Sequence, residues 1–418
     1  MQDHKSSACG GTVNTHWPPR VAVVGGGIAG LTCARELRLR GCDALVLEAD
    51  DRLGGRFSSR RTRVGLFDDG AQCISGATHL AADVVQPPGE LAVIHPWTVA
   101  ATPAEEERNN KAWKKDEEEA DVTPTLKRMG AVGVPSMMAL ADALARPLRI
   151  RLNTPIVQAR RRGTGWVLSS SQGEIEGDFQ ALVLAIPAPL AMPLVRESSE
   201  LTAALCAVRY RSRWVLLLGS ERPVPLPSYR DFQGSPIERI AAMHSKPGRL
   251  AVGPQRWFVE ADERWSAQHE HEDAETVAEL LLANFCAHAG RSVVPGFLQA
   301  QQWRHAFVET PATTPRRTAC LWDDKLQLGV CGDSVVASQV ERVHISGIDM
   351  ARAVVEGSQH SHALVPVLAK RGRDRDGLFG QIDPLPLELH EHPLAQRGLD
   401  RKVERLACAG IRRCFEGL

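Results

Sequence analysis

The stretch VAVVGGGIAG at residues 21–30 constrains the fold more than any other part of the chain. Its first four residues are small or β-branched and apolar without alternation, which is typical of a strand covered on both faces. The glycines that follow fit the pattern G-x-G-x-x-G, in which a tight turn lets a diphosphate approach the main chain at the start of a helix. The residues predicted to bind a dinucleotide here are Gly25, Gly27, Ile28, Ala29 and Gly30.

The residues after this turn complete a βαβ unit. A helical apolar pattern runs to Gly41, a typical helix end, and residues 44–47 form a second short apolar strand. Glu48 follows Gly30 by 18 positions, close to the roughly 20 residues expected for the acid that binds the ribose hydroxyls. A glycine turn without a ligand is the alternative, but strand, turn, helix, strand and acid in this order indicate nucleotide binding.

Two further segments supply contacts for such a ligand. In ADDRLGGR at residues 49–56, two glycines free the main chain and two arginines carry forked donors for a diphosphate. In DDGAQCI at residues 68–74, small residues stand where a flat ring could lie, although a simple turn into a strand is the alternative. The predicted cofactor contacts in these segments are Ala49, Arg52, Gly55, Arg56, Gly70, Ala71, Gln72 and Cys73.

Composition excludes several other classes of protein. The chain has 418 residues, so we expect two domains or one large composite domain. Its net charge is +0, so we expect no nucleic-acid partner. No run of about 18 apolar residues occurs, and residues 1–19 lack the apolar core of a signal peptide. We therefore expect no membrane association and a cytoplasmic location.

The cysteines and histidines favour neither disulfides nor a metal site. The 10 cysteines contain no C-x-x-C pair, so reduced thiols are expected. Three His-x-His pairs begin at His269, His360 and His390, but no cysteine or third histidine lies near any of them in the sequence to complete a site. We interpret these pairs as exposed polar segments.

Together these motifs resemble the FAD-dependent amine oxidase superfamily, and most closely its renalase-like branch. The resemblance covers roughly residues 20–360 and begins with E-A-x-x-R-x-G-G-R and D-x-G-A-Q. The segment Gln302 to His305 resembles the W-R-H segment that points to this branch. Ile156 corresponds to the position that contacts adenine, and Gly332-Asp333 with Ser346-Gly347 resembles the final flavin-binding strand and helix.

The resemblance implies an α/β fold with a Rossmann-type FAD-binding domain and a second α+β substrate domain built on an antiparallel sheet. The implied divisions are an N-terminal tail (1–19), a discontinuous FAD-binding domain (20–80, 126–194 and 318–370), a substrate domain (81–125 and 195–317) and a C-terminal appendage (371–418). Within them, local patterns predict helices over 135–145 and 273–288, the latter with Val277, Leu280, Leu281 and Phe285 on one face. Strands are predicted over 181–186, 213–218, 256–260 and 326–330.

The resemblance also implies non-covalent FAD as the cofactor. A renalase-like enzyme takes a hydride from a dihydronicotinamide isomer to flavin N5 and passes the electrons to O₂, with release of H₂O₂. A nicotinamide dinucleotide is therefore the expected small-molecule partner. Trp303, Arg304 and His305 would line the substrate side; an interdomain ion pair is the alternative for Arg304, and a hydrogen-bonded core position for His305.

Two other functions stay open. The first is an amine oxidase of the same superfamily, although the chain has only 2 tyrosines with which to frame an amine. The second is a flavin-binding scaffold without turnover. The family usually has E-G-A before Ser346-Gly347, whereas Arg342 stands here in place of the glycine. If Arg342 points at the flavin pyrimidine ring, its charge would stabilise anionic reduced flavin.

Overall fold

The computed structural model describes residues 19–74, 93–100, 126–249, 253–312 and 318–360. The charged segment at 104–121 and the appendage at 371–418 lie outside these residues. The helices are α1 (Ile28–Leu39), α2 (Ala139–Ala145), α3 (Ala188–Ala191), α4 (Ser199–Cys206), α5 (Glu263–Gln268), α6 (Ala274–Ala289), α7 (Asp333–Val336) and α8 (Val340–His360). The strands are β1 (Arg20–Val24), β2 (Asp43–Leu47), β3 (Ser59–Thr62), β4 (Gly65–Asp68), β5 (Ile94–Ala100), β6 (Leu126–Gly133), β7 (Arg149–Arg151), β8 (Ile156–Arg162), β9 (Gly165–Ser170), β10 (Gly173–Glu174), β11 (Ala181–Leu184), β12 (Arg209–Ser220), β13 (Tyr229–Asp231), β14 (Ile237–Ala242), β15 (Gln255–Ala261), β16 (Pro295–Thr310), β17 (Leu321–Asp323) and β18 (Leu328–Val330).

A six-stranded sheet in the order β17-β18-β11-β1-β2-β7 forms the first layer. All its neighbouring pairs are parallel except β17 with β18. The apolar residues 21–24 lie in its centre and are at most 4% exposed, as expected for a strand covered on both faces. One face packs against α1, α2 and α8, and the other packs against the β8–β9–β10 sheet with α3 and α4.

A five-stranded antiparallel sheet in the order β13-β14-β15-β12-β16 forms the second unit. Helix α6 covers it and begins where the Asp273 carboxylate accepts hydrogen bonds from two main-chain N–H groups. It ends at Gly290, whose φ of 66° is left-handed. The Rossmann-type layer and this antiparallel sheet confirm the predicted fold class.

The face of α6 differs from the prediction at one position. Val277, Leu281 and Phe285 are fully buried against the sheet. Leu280 is 38% exposed, so its placement on the buried face was wrong. Because successive helical residues are rotated by about 100°, only one of two adjacent leucines can face the sheet centre.

The helix predicted to start at Pro135 begins only at Ala139. The main-chain N–H of Met137 donates to Asp68 Oδ1 at 3.0 Å, and that of Met138 donates to Ser59 Oγ at 3.3 Å. These bonds fix the preceding turn on the β3–β4 hairpin, where it cannot extend the helix. The strands predicted over 181–186 and 326–330 are shorter than expected and occupy residues 181–184 and 328–330.

The described residues give three further observations on composition. The seven cysteines among them are thiols rather than disulfides. Within the same ranges, no three His, Cys, Asp or Glu side chains are grouped so that they could hold a metal ion. His269 instead contacts Glu272 Oε1 at 2.9 Å, and the pairs beginning at His360 and His390 lie wholly or partly outside these ranges. None of the described helices is both long enough and apolar enough to cross a membrane.

Candidate functional site

The turn between β1 and α1 has the geometry of a diphosphate cradle. A Cβ on Gly25 would lie 2.5 Å from the Ala185 carbonyl oxygen, and one on Gly30 would collide with the Gly25 carbonyl oxygen. A Cβ on Gly27 would meet nothing within 4 Å. Gly27 is also the N-cap of α1, which has no capping side chain and no acidic residue in its first turn. The open space therefore faces a helix N-terminus, where anionic groups bind.

Glu48 lies beside this cradle at the end of β2. Its carboxylate accepts hydrogen bonds from the N–H groups of Gly26 at 2.5 Å and Asp50 at 2.9 Å. Burial raises the pKa of Glu48, and these hydrogen bonds partly oppose that rise. The Thr154 N–H donates to the Glu48 carbonyl oxygen at 2.7 Å, which brings the segment leading to Ile156 alongside. The structure thus brings together the residues predicted to hold the adenosine half.

The two arginines predicted to bind a diphosphate have other partners in the structure. Arg56 Nη1 lies 2.6 Å from Asp333 Oδ2 and donates to the Ala306 carbonyl oxygen at 3.1 Å. Arg52 Nη2 lies 3.8 Å from the buried Asp69 carboxylate. Arg56 and Asp333, both predicted cofactor contacts, are therefore brought together across the chain.

Tyr210 on β12 also contacts Asp333. Its hydroxyl donates to Asp333 Oδ1 at 3.2 Å and accepts from the Ala188 N–H at 3.4 Å. Burial, together with the Asp333 charge, raises the pKa of Tyr210 well above its ordinary value, so the hydroxyl stays protonated. Sequence reasoning misses this residue because it lies more than 120 positions from Asp333 and outside every flavin motif.

The final predicted flavin segment is held by α8. Ser346 Oγ accepts a hydrogen bond from the Gly332 N–H at 2.8 Å, and a Cβ on Gly347 would lie 2.5 Å from the Ala29 carbonyl oxygen. His344 is buried and lies 2.8 Å from Thr32 Oγ1. Arg342, in contrast, is exposed in the first turn of α8. Water therefore screens its charge.

A cavity of about 30 Å³ lies between the segment Gly70 to Gln72 and the antiparallel sheet. Its walls are formed by Arg56, Gly70, Ala71, Gln72, Arg213, Val215, Arg239, Phe258, Glu260, Trp303, Ala306 and Phe307. Trp303 closes one side, and its indole N–H donates to the Asp69 carbonyl oxygen at 2.8 Å. Cys73 is fully buried and does not belong to these walls.

The W-R-H segment contributes to the cavity through a β-bulge. Arg213 pairs with Trp303 and Arg211 pairs with Phe307, so three residues of β16 face one residue of β12. This irregularity brings Ala306 and Phe307 to the wall beside Trp303.

The other two members of the segment lie off the cavity wall. Arg304 is exposed. His305 packs its ring edge-on against Tyr210 at 5.2 Å. Burial and then the charge of Arg56 lower the pKa of His305, which favours a neutral ring at neutral pH.

Three charged residues of the sheet face the cavity, although the sequence analysis does not name them as site residues. Glu260 Oε2 lies 3.3 Å from Arg239 Nη1, and Glu260 Oε1 lies 3.8 Å from Arg213 Nε. All three side chains are 7% exposed or less. Burial raises the pKa of Glu260, and the two arginines oppose that rise. The signal that could have found them is a charged residue beside an apolar run, as in RWVLLL at 213–218 and WFVE at 257–260.

Comparisons with known proteins agree with this arrangement. A family model described as an NAD(P)-binding Rossmann-like domain matches residues 23–86. Protoporphyrinogen oxidase 2 of Arabidopsis thaliana is 39% identical over 77 residues, which are 18% of this chain and 14% of that protein. Lysine-specific histone demethylase 1 homolog 1 of the same plant is 47% identical over 58 residues, which are 14% of this chain and 6% of that protein. The matches therefore span a small part of these relatives.

Two solved structures extend the likeness to most of the chain. Cyclohexylamine oxidase from Brevibacterium oxydans has a TM-score of 0.57 at 13% identity and covers 82% of this chain and 100% of its own. Wild-type putrescine oxidase bound to putrescine has a TM-score of 0.54 at 13% identity, with 81% and 98% covered. The chain therefore shares the fold of these two oxidases. These neighbours agree with the predicted FAD cofactor and oxidoreductase class, whereas the renalase-like branch stays a prediction.

Proposed function

We propose that the protein is an FAD-dependent oxidoreductase of renalase-like type, which oxidises a dihydronicotinamide isomer. The observation that carries the proposal is the cavity wall of Arg213, Arg239 and Glu260 opposite Gly70 to Gln72. A carboxamide has one acceptor oxygen and an NH₂ group with two donors. A guanidinium beside a carboxylate presents the complementary donors and acceptor.

The charges of this wall also favour a substrate with a neutral or anionic ring rather than a protonated amine. Arg213 and Arg239 flank the Glu260 carboxylate, so the three buried groups together carry one positive charge. A protonated amine entering here would meet two guanidinium groups at close range, which is unfavourable in a water-poor cavity. Glu238, Asp231 and Glu263 also pair with these guanidinium groups, at 3.0–3.7 Å. Their side chains are 27–38% exposed on the sheet surface, so water screens their charges more than those of the three buried groups.

The residues of the chain have separate tasks in this proposal. The open side of Gly27 and the N-terminus of α1 would hold the diphosphate of FAD, Glu48 would hold its ribose, and Gly70 to Gln72 would support the ring. Trp303 and Phe307 would exclude water from the substrate side. Bound FAD would supply the two-electron redox chemistry, with the substrate as hydride donor and O₂ as the acceptor that leaves as H₂O₂.

Anaerobic titration of the purified flavoprotein tests this function. We expect dihydronicotinamide isomers to bleach the flavin absorbance and simple amines to leave it unchanged. Arg213→Gln should weaken the response to the dihydronicotinamide by at least about tenfold, because a charge-assisted hydrogen bond contributes roughly 1.5–3 kcal/mol. Exposed Arg304→Gln is the matched control and should leave the response within about twofold.

An amine oxidase is the second candidate, since cyclohexylamine oxidase and putrescine oxidase share the fold. Glu260 is the residue that favours it, because its carboxylate could hold an ammonium group at the cavity wall. Bleaching by amines that is lost in Glu260→Gln would establish this function. A flavin that stays oxidised with both classes of substrate would instead indicate a binding protein without turnover.

A further inference from the structure

A buried ionic cluster lies directly behind the cavity wall formed by Gly70 to Gln72. We call it the Lys246 cluster, and its charged members are Asp68, Lys246 and Arg249. Lys246 Nζ donates to Asp68 Oδ2 and to Gln72 Oε1, each at 2.9 Å. Arg249 Nη2 donates to the same Asp68 oxygen at 2.5 Å. The three side chains are at most 1% exposed.

The bonds of Lys246 fix the cavity wall itself. Because Gln72 Oε1 accepts from Lys246, the Gln72 amide nitrogen is oriented to donate to the carbonyl oxygens of Asp68 at 2.9 Å and Gly70 at 2.7 Å. The neighbouring Ala71 N–H donates to the Arg56 carbonyl oxygen at 2.8 Å. The Gln72 side chain therefore connects Lys246 to the main chain on which the flavin ring is proposed to lie.

The cluster carries one net positive charge, because two cations share a single carboxylate. Burial lowers the pKa of Lys246, while the Asp68 charge opposes this shift and stabilises the ammonium form. Trp97, whose ring lies 5.2 Å from Lys246 Nζ, helps to exclude water. A charge in such surroundings is poorly screened and acts over longer distances than a charge at the surface.

We infer that the Lys246 cluster raises the reduction potential of the flavin by stabilising negative charge on its reduced ring. The inference rests on the proposed FAD site. Oxidation of a dihydronicotinamide removes a hydride, which is two electrons and one proton, so the accepting ring gains one negative charge. A fixed positive charge behind the ring favours that product over the neutral oxidised form. Lys246 is then a positioning residue that acts through its charge and through Gln72.

Variants of the cluster separate charge from packing. Lys246→Met and Arg249→Met each reduce the net charge from +1 to 0, whereas Asp68→Asn increases it to +2 and Lys246→Met with Asp68→Asn restores +1. The midpoint potential should fall by roughly 30 mV in each Met variant, a tenfold change in the two-electron equilibrium. It should rise in Asp68→Asn and return near the wild-type value in the double variant. Lys246→Arg, which keeps the charge, should also stay near wild type.

The potential is measured by dye-coupled chemical reduction, which needs no substrate. This keeps the inference separate from the proposed function: a wild-type protein that binds FAD but ignores dihydronicotinamides can still show the pattern. A potential that falls in Lys246→Met and not in Arg249→Met overturns the charge argument, since only the first variant loses the bond to Gln72. A potential that falls in Asp68→Asn overturns it as well, because the charge argument requires the potential to rise when the net charge rises to +2. A change caused by damaged packing would not depend on the sign of the charge.

Discussion

Gly25 and Gly27 are two residues apart in one turn, yet glycine is needed at each for a different reason. Gly25 has a φ of 106° and no room for a Cβ, whereas Gly27 has an ordinary φ of −78° and open space beside it. We expect Gly25→Ala to lower the free energy of unfolding by about 2 kcal/mol or more through strain and collision. Gly27→Ala should leave stability within about 0.5 kcal/mol and weaken FAD binding at least tenfold. Urea denaturation of the apoprotein and FAD fluorescence titration measure the two effects. Equal loss of stability in both variants would contradict this division.

A single carboxyl group, that of Asp68, should give part of the stability an acid dependence. Burial would raise its pKa, but Lys246 and Arg249 outweigh burial and lower the pKa from 3.8 to about 2. A group whose pKa is lower in the folded state contributes stability above its unfolded pKa and loses it as pH falls towards the folded value. We therefore expect about 2 kcal/mol to be lost between pH 4 and pH 2. Between pH 4 and pH 2, the unfolding free energy should fall less steeply in Asp68→Asn than in the wild type. Equal slopes in the two proteins would contradict the prediction.

At the scale of the element, how much the sequence predicts depends on whether a pattern is local. The run at 21–24 and the glycine turn are each set by neighbours within a few residues, and the structure has them as expected. The bulge between Trp303 and Phe307 is set by pairing with β12, about 90 residues earlier in the chain. The W-R-H motif therefore does not reveal which of its side chains reach the cavity. The cavity residues Arg213 and Glu260 are hidden for the same reason, since only sheet pairing brings them together.

Helix α6 offers a direct test at this scale, because Leu280 and Leu281 are adjacent and chemically identical. Leu281 is fully buried and Leu280 is 38% exposed. Leu281→Ala should lower the free energy of unfolding by roughly 2–5 kcal/mol, since it removes buried methyl groups and leaves a cavity. Leu280→Ala, the matched control, should change it by about 0.5 kcal/mol or less. Urea denaturation of the two variants provides the measurement, and a larger effect at Leu280 would mean that the helix is rotated from the described position.

Across the whole molecule, the two units meet at Asp333. Arg56 reaches it from the loop after β2, Tyr210 reaches it from the antiparallel sheet, and Asp333 itself follows the last parallel strand. The three residues come from distant parts of the sequence, so no short motif contains all of them. If Asp333 binds FAD as the resemblance implies, the antiparallel sheet affects cofactor affinity through Tyr210 without touching the nucleotide-binding turn.

The two tyrosines of the chain can test this link, because each hydroxyl donates to one aspartate. Tyr210 bonds Asp333 at 3.2 Å, and Tyr229 bonds Asp231 at 2.9 Å, within the antiparallel sheet. Each change to Phe should cost about 1 kcal/mol of unfolding free energy, the usual contribution of one hydrogen bond. Only Tyr210→Phe should also weaken FAD binding, by roughly fivefold, because Asp333 loses the donor that orients its carboxylate. FAD titration by fluorescence quenching and urea denaturation of both variants separate the two effects. Unchanged FAD affinity in Tyr210→Phe, with the stability loss present, would show that the sheet and the cofactor site are energetically independent.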